Sequence, residues 1–108
     1  MITVRFLSGS GLLAGFTVRG HAGWAQSGRD IVCAAVSSAA LMTANTLTEV
    51  LKAPCKVSAD DGEMCVLPDD PDEPFTQQLL RGFSLHMREM SREYPDHLKV
   101  IYGGKHNA

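Results

Sequence analysis

The residues best suited to covalent chemistry are His21 and Cys33, twelve positions apart. An imidazole titrates near neutral pH and a deprotonated thiol is a strong nucleophile, so two such groups that meet form a nucleophile with its own base. The chain between them is rich in small residues, with Ala22, Gly23 and Gly28 around Trp24. Gly20, Gly23 and Gly28 give the backbone freedom to bring the imidazole within about 3 Å of the sulfur. From Gly20 to Asp30 no apolar periodicity survives, which predicts a mobile loop that admits a peptide. Asp30 then precedes a long apolar run and predicts a helix N-cap, which puts Cys33 near N3, where the helix dipole favours thiolate.

Two roles are open to Asp30. As a cap it aligns the helix while opposing a neighbouring thiolate electrostatically; as a third member of the constellation it orients His21. Ser37, one turn after Cys33, either hydrogen-bonds within the site or returns its hydroxyl to the preceding turn. By spacing alone, a cysteine in a helix is more often packing than catalysis.

The elements that must hold these groups follow from the pattern. Ile2, Val4 and Phe6 alternate with Thr3, Arg5 and Leu7, and Leu12, Ala14, Phe16 and Val18 alternate with Leu13, Gly15, Thr17 and Arg19. Joined by Gly9-Ser10-Gly11, they predict a hairpin. A helix from Asp30 to about Lys52 is apolar nearly all round, and Pro54 ends it. Asp60-Asp61-Gly62 joins two further strands, Cys55 to Ser58 and Glu63 to Leu67. Phe75, Leu79, Phe83, Met87 and Met90 form the apolar stripe of a second helix, with Gln77, Gln78, Arg81, Arg88 and Arg92 mainly on other faces. Leu98 to Tyr102 is a last strand. The order ββαββαβ predicts an α/β two-layer sandwich, a mixed sheet packed against two helices, in a single domain spanning residues 1–108.

Composition narrows the function. With 10 Lys plus Arg against 12 Asp plus Glu there is no basic excess to hold a phosphate backbone, so direct nucleic-acid binding is not expected. The 18 uncharged residues from Ile31 to Thr48 approach membrane-spanning length, but their serines, threonines and alanines favour a buried helix over a membrane span. Arg5 and the Gly9-Ser10-Gly11 turn interrupt any signal-peptide core, and three cysteines suit a reducing compartment, so the expected location is cytoplasmic. No pair among the cysteines and histidines has C-x-x-C or H-x-x-x-H spacing, so neither a metal nor a cofactor is expected.

The string Gly20-His21-Ala22-Gly23-Trp24-Ala25, then Gly28, then Asp30-Ile31-Val32-Cys33-Ala34-Ala35-Val36-Ser37, closely resembles the ribosomal-processing cysteine protease Prp family. The resemblance extends to chain length and element order. It implies that His21 and Cys33 are the catalytic dyad, with Gly20, Asp30 and Ser37 supporting and Trp24 in place of a common tyrosine. It further implies a homodimeric endopeptidase that removes the N-terminal extension of a bacterial large-subunit ribosomal protein precursor, of the L-twenty-seven family, during ribosome assembly. The competing class is a non-catalytic ribosome-associated module that binds peptide or RNA, for which the strands carry no aromatic signature.

Other residues have simpler readings. His86 reads as a packed histidine at the core edge, and Cys55 and Cys65 as buried thiols rather than a bridge or a nucleophile. Asp69, Asp70, Asp72 and Glu73 are either a solvated connection or an attractor for a basic partner.

Overall fold

The computed structural model describes residues 1–20, 27–60 and 62–104. Strands β1 (Ile2–Gly9), β2 (Leu12–Arg19), β3 (Cys55–Asp60), β4 (Glu63–Pro68) and β5 (Leu98–Tyr102) form one sheet in the order β3-β4-β2-β1-β5. Its pairs are antiparallel except β1 with β5, so the sheet is mixed. Helices α1 (Ser27–Asn45) and α2 (Pro74–Glu93) supply the other layer. The element order and the α/β two-layer architecture are those expected from the sequence.

The alternation in β1 explains the core directly: Ile2, Val4 and Phe6 are buried, and the paired rows Val4↔Val18 and Phe6↔Phe16 continue the apolar face. The Phe83 ring of α2 lies 5.5 Å from Phe6 and 4.6 Å from Phe16, which fastens the helix layer to the two central strands. Such ring pairs add about 0.5–1.5 kcal/mol each beyond simple burial. Ser10 (φ 56°) and Gly11 (φ 78°) both have positive φ, the conformation of a two-residue turn whose twist matches the strands it joins.

Alternation in β2 is broken. The register moves from Leu7↔Gly15 to Ser8↔Leu13, so Ala14 is an extra residue and Leu13, rather than Leu12, packs against the core beside Phe16 and Val18. Gly15 makes this possible, because a Cβ there would overlap the carbonyl oxygen of Val66.

α1 begins four residues earlier than the Asp30 cap predicts. Ser27 and Asp30 stand in an S-x-x-D pattern, itself a helix-start signal, so Ser27 through Asp30 form the first turn and Cys33 is the seventh residue. The far end differs too. Regular α-helix stops at Asn45, and Thr46–Val50 form a π-turn closed by the Leu51 N–H on the Thr46 carbonyl at 2.8 Å. The Thr43 and Thr46 hydroxyls donate to the carbonyls of Ala39 and Met42, competing with the helical ladder just where it loosens. Val32, Val36, Ala40, Thr43 and Leu47 lie against the sheet, so this long apolar segment serves as a core helix.

In α2 the buried stripe is Thr76, Leu80, Phe83, Met87 and Met90, while Phe75 is 64% exposed. The start sets this rotation: Glu73 accepts from the N–H groups of Phe75 (3.1 Å) and Thr76 (2.9 Å), with Pro74 following it. Gln77, expected outward, is buried. It accepts from the Leu13 N–H (3.2 Å) and donates to the Leu13 carbonyl (2.7 Å), so its amide replaces a strand partner next to the bulge. His86 is exposed rather than packed, because the rotation that buries Phe83 and Met87 turns it outward.

Candidate active site

The site is built from the end of β2 and the first half of α1. Gly20 directly follows β2 with φ 88°, and a Cβ would overlap the Met1 carbonyl oxygen, so only glycine fits where the chain leaves the sheet. His21, Ala22, Gly23 and Trp24 lie outside the described residues. Gly28, expected in the loop, sits in the first turn of α1.

Cys33 is 2% exposed and belongs to the core cluster with Val32 and Val36. Its place in the second turn of α1 weakens one expectation: the dipole acts mainly within the first turn, so it favours a thiolate less here than at N3. Asp30 is within the first turn of α1 rather than at the cap. Ser37, four residues after Cys33, shares its helix face and lines a cleft of about 330 Å³ between α1 and the β3–β4 hairpin. Leu41 and Ala40 continue that wall, and Val18, Ala59 and Met64 line it from the strands. Leu41, Ala59 and Met64 carry no signal of chemistry in the sequence. They are ordinary apolar residues that only strand order brings opposite α1.

The Arg19 Nε lies 3.0 Å from a Glu63 carboxylate oxygen, pairing the strands next to Gly20. Both side chains are solvent-accessible, so the pair aligns this edge more than it stabilises it. Cys55 and Cys65 are not opposite each other, being paired with Pro68 and Ser58, and neither is in a disulfide. Burial pushes both thiols up from the ordinary cysteine value, so at neutral pH they stay protonated and poorly nucleophilic.

The family model for cysteine protease Prp matches residues 1–99. The chain belongs to this family of cysteine proteases. SMU.848 from Streptococcus mutans has a similar structure, with a TM-score of 0.85 at 26% identity over 96% of each chain. The essential ribosomal processing protease Prp from S. aureus, solved with a substrate peptide, gives a TM-score of 0.85 at 23% identity, covering 94% of this chain and 99% of that one. The same S. aureus protease with a covalently linked product peptide gives 0.83 at 24% identity over the same shares. A comparison with curated proteins returns no match. Membership of a cysteine protease family supports protease activity for this chain, whose sheet and helices are arranged as in those neighbours.

Proposed function

We propose that this chain is a cysteine endopeptidase in which Cys33 is the nucleophile and His21 its base, with Gly20, Asp30 and Ser37 in support. The observation that carries the reading is the pairing of the Gly20-His21 and Asp30 to Ser37 motifs in a chain that matches the family over residues 1–99. His21 accepts the Cys33 proton, and the thiolate attacks the scissile carbonyl carbon. Collapse of the tetrahedral intermediate breaks the C–N bond, and His21 returns the proton to the departing amine. Water then loses a proton to His21 and attacks the thioester, which releases the new carboxyl end and restores the thiol. With Cys33 past the first helical turn, His21 carries most of the activation. Gly20 positions His21, and Asp30 acts through the helix start or the imidazole.

The substrate is the N-terminal extension of a large-subunit ribosomal protein precursor of the L-twenty-seven family, cleaved in the cytoplasm by a homodimer. Support for the dimer comes from α1, whose outer face leaves Ile31 65% and Met42 61% exposed. The test is cleavage of a precursor peptide followed by mass. Cys33→Ala and His21→Ala are expected to lose cleavage with circular dichroism unchanged, while Cys55→Ala and Cys65→Ala retain it. Undiminished cleavage by folded Cys33→Ala removes the nucleophile, and wild type that binds but never cuts returns the protein to the binding-module class.

A further inference from the structure

The loop that follows the π-turn and the start of α2 enclose a groove far from Cys33. Leu51, Ala53 and Pro54 line it on one side and Phe75 on the other, around a volume of about 290 Å³. The Asp69 N–H donates to the Pro54 carbonyl at 2.9 Å, so the two connections that frame the groove are fastened to each other and its shape is set before anything binds. Phe75 stays 64% exposed because the Glu73 cap turns Leu80 rather than this ring into the core. The groove therefore presents an aromatic face to water beside apolar loop residues.

Charge at the rim selects the partner. Asp69, Asp70 and Asp72 are exposed and, among the described residues, none of them is in an ion pair; Lys52, the cation that lines the groove, is not in one either. Glu73 is engaged at the helix start, where it accepts from the Phe75 and Thr76 N–H groups and the Thr76 hydroxyl, so the donors that would draw an anion are already satisfied. Asp72, through a shared hydrogen bond first and its charge second, raises the Asp70 carboxyl above its ordinary range, a crowding that an incoming cation relieves. Three unpaired aspartates against one lysine make the local field negative, which repels nucleic acid and anionic lipid and attracts a basic polypeptide. A Lys or Arg side chain fits both features: its stem packs on Leu51 and Pro54, and its head lies over the Phe75 ring beside Asp70.

Leu51 follows Cys33 by 18 positions, nearly all of them helical, which puts the groove roughly 25 Å from the nucleophile, a span that an extended chain covers in about eight residues. We propose that the groove between Phe75 and the Leu51 to Pro54 loop, with Asp70 at its rim, is an exosite for a basic segment of the polypeptide substrate that lies well away from the scissile bond. This inference rests on the protease reading. The exosite holds the body of the substrate and touches none of the reacting atoms, so it strengthens binding of ground state and transition state alike and lowers KM with kcat unchanged. A cation over an exposed ring together with a surface ion pair corresponds to about threefold to tenfold in KM.

The experiment compares peptides that share one processing junction: a short one, and versions extended on either side by about twelve residues that end in a run of lysines or a run of glutamates. A lysine-ended extension on one side is expected to lower KM about threefold to tenfold at unchanged kcat, and a glutamate-ended one to give no gain. Phe75→Ala and Asp70→Asn, both at exposed positions, are each expected to remove most of that gain while cleaving the short peptide as wild type does, with circular dichroism checking both variants. Equal KM for all peptides, or a gain that either substitution leaves intact, overturns the exosite while the protease reading stands. If wild type cleaves none of the peptides, the protease reading falls. Fluorescence anisotropy of the labelled lysine-ended segment then decides the exosite alone: affinity weakened by both substitutions upholds it, and no binding, or binding that either leaves unchanged, overturns it. Light scattering of Phe75→Ala tests the other occupant, since a wild-type dimer that this change dissociates assigns the groove to a second copy of the chain and overturns the exosite.

Discussion

Gly20 shows how one residue type can be dictated from two directions. Its φ of 88° lies where a side chain is strained, and the Met1 carbonyl occupies the space a Cβ needs. Gly20→Ala is therefore expected to lower stability by about 1–3 kcal/mol in urea unfolding and to slow cleavage by displacing the chain that leads to His21. Motif reading found this glycine, but its reason lies in Met1, the residue before β1, whose carbonyl approaches it. Cys33 has the opposite history. Its identity as the candidate nucleophile was legible from the residues around it, whereas its second-turn placement and burial depended on where α1 begins.

At the scale of elements, helix ends carry the tests. Lys52 has φ 54°, and the Ala53 N–H donates to the Leu47 carbonyl at 2.8 Å, so lysine occupies the left-handed position of a helix terminus usually held by glycine. Lys52→Gly removes a strain of about 1–2 kcal/mol, partly offset by the freer unfolded chain. The expected net gain is about 0.5–1 kcal/mol, read as a rise of a few degrees in Tm. At α2, hydrogen bonds from the Phe75 N–H first, and then from Thr76, hold the Glu73 carboxyl below its ordinary range. A lowered folded pKa gives stability that is present above the unfolded value and lost as pH falls through the folded one. Glu73→Gln, which keeps an acceptor and removes the charge, is expected to melt below wild type at neutral pH and to match it in acid. A thermal denaturation series across pH reads both.

At the scale of the molecule, the proposed dimer rests on the apolar outer face of α1. Ile31 and Met42 are on the side away from the sheet, where burial in a second copy removes their contact with water. Light scattering of wild type is expected to give twice the chain mass, and the double change Ile31→Lys with Met42→Lys to give the monomer mass with the helical signal preserved. A monomer for wild type at every concentration defeats the dimer. The same helix presents its other flank to the β3–β4 hairpin, so the cleft and the exposed face are two sides of one element.

Local information was enough for the element order, the two turns with glycine, the mixed α/β class and the paired histidine and cysteine motifs, because each depends on periodicity or residue type within a short window. Rotation and register were decided elsewhere. Gln77 is buried because Leu13 offers its backbone across 64 positions of sequence. Leu13 faces inward because Gly15 lets β2 bulge against Val66, and α2 hides Leu80 rather than Phe75 because its cap and the sheet fix which side turns in. The cleft beside Ser37 is likewise a product of strand order, since β3 projects beyond α1 only once β4 has paired with β2. Residue patterns specify what each segment prefers locally; which of its faces meets another segment depends on contacts between residues distant in the chain, and those exist only in the folded molecule.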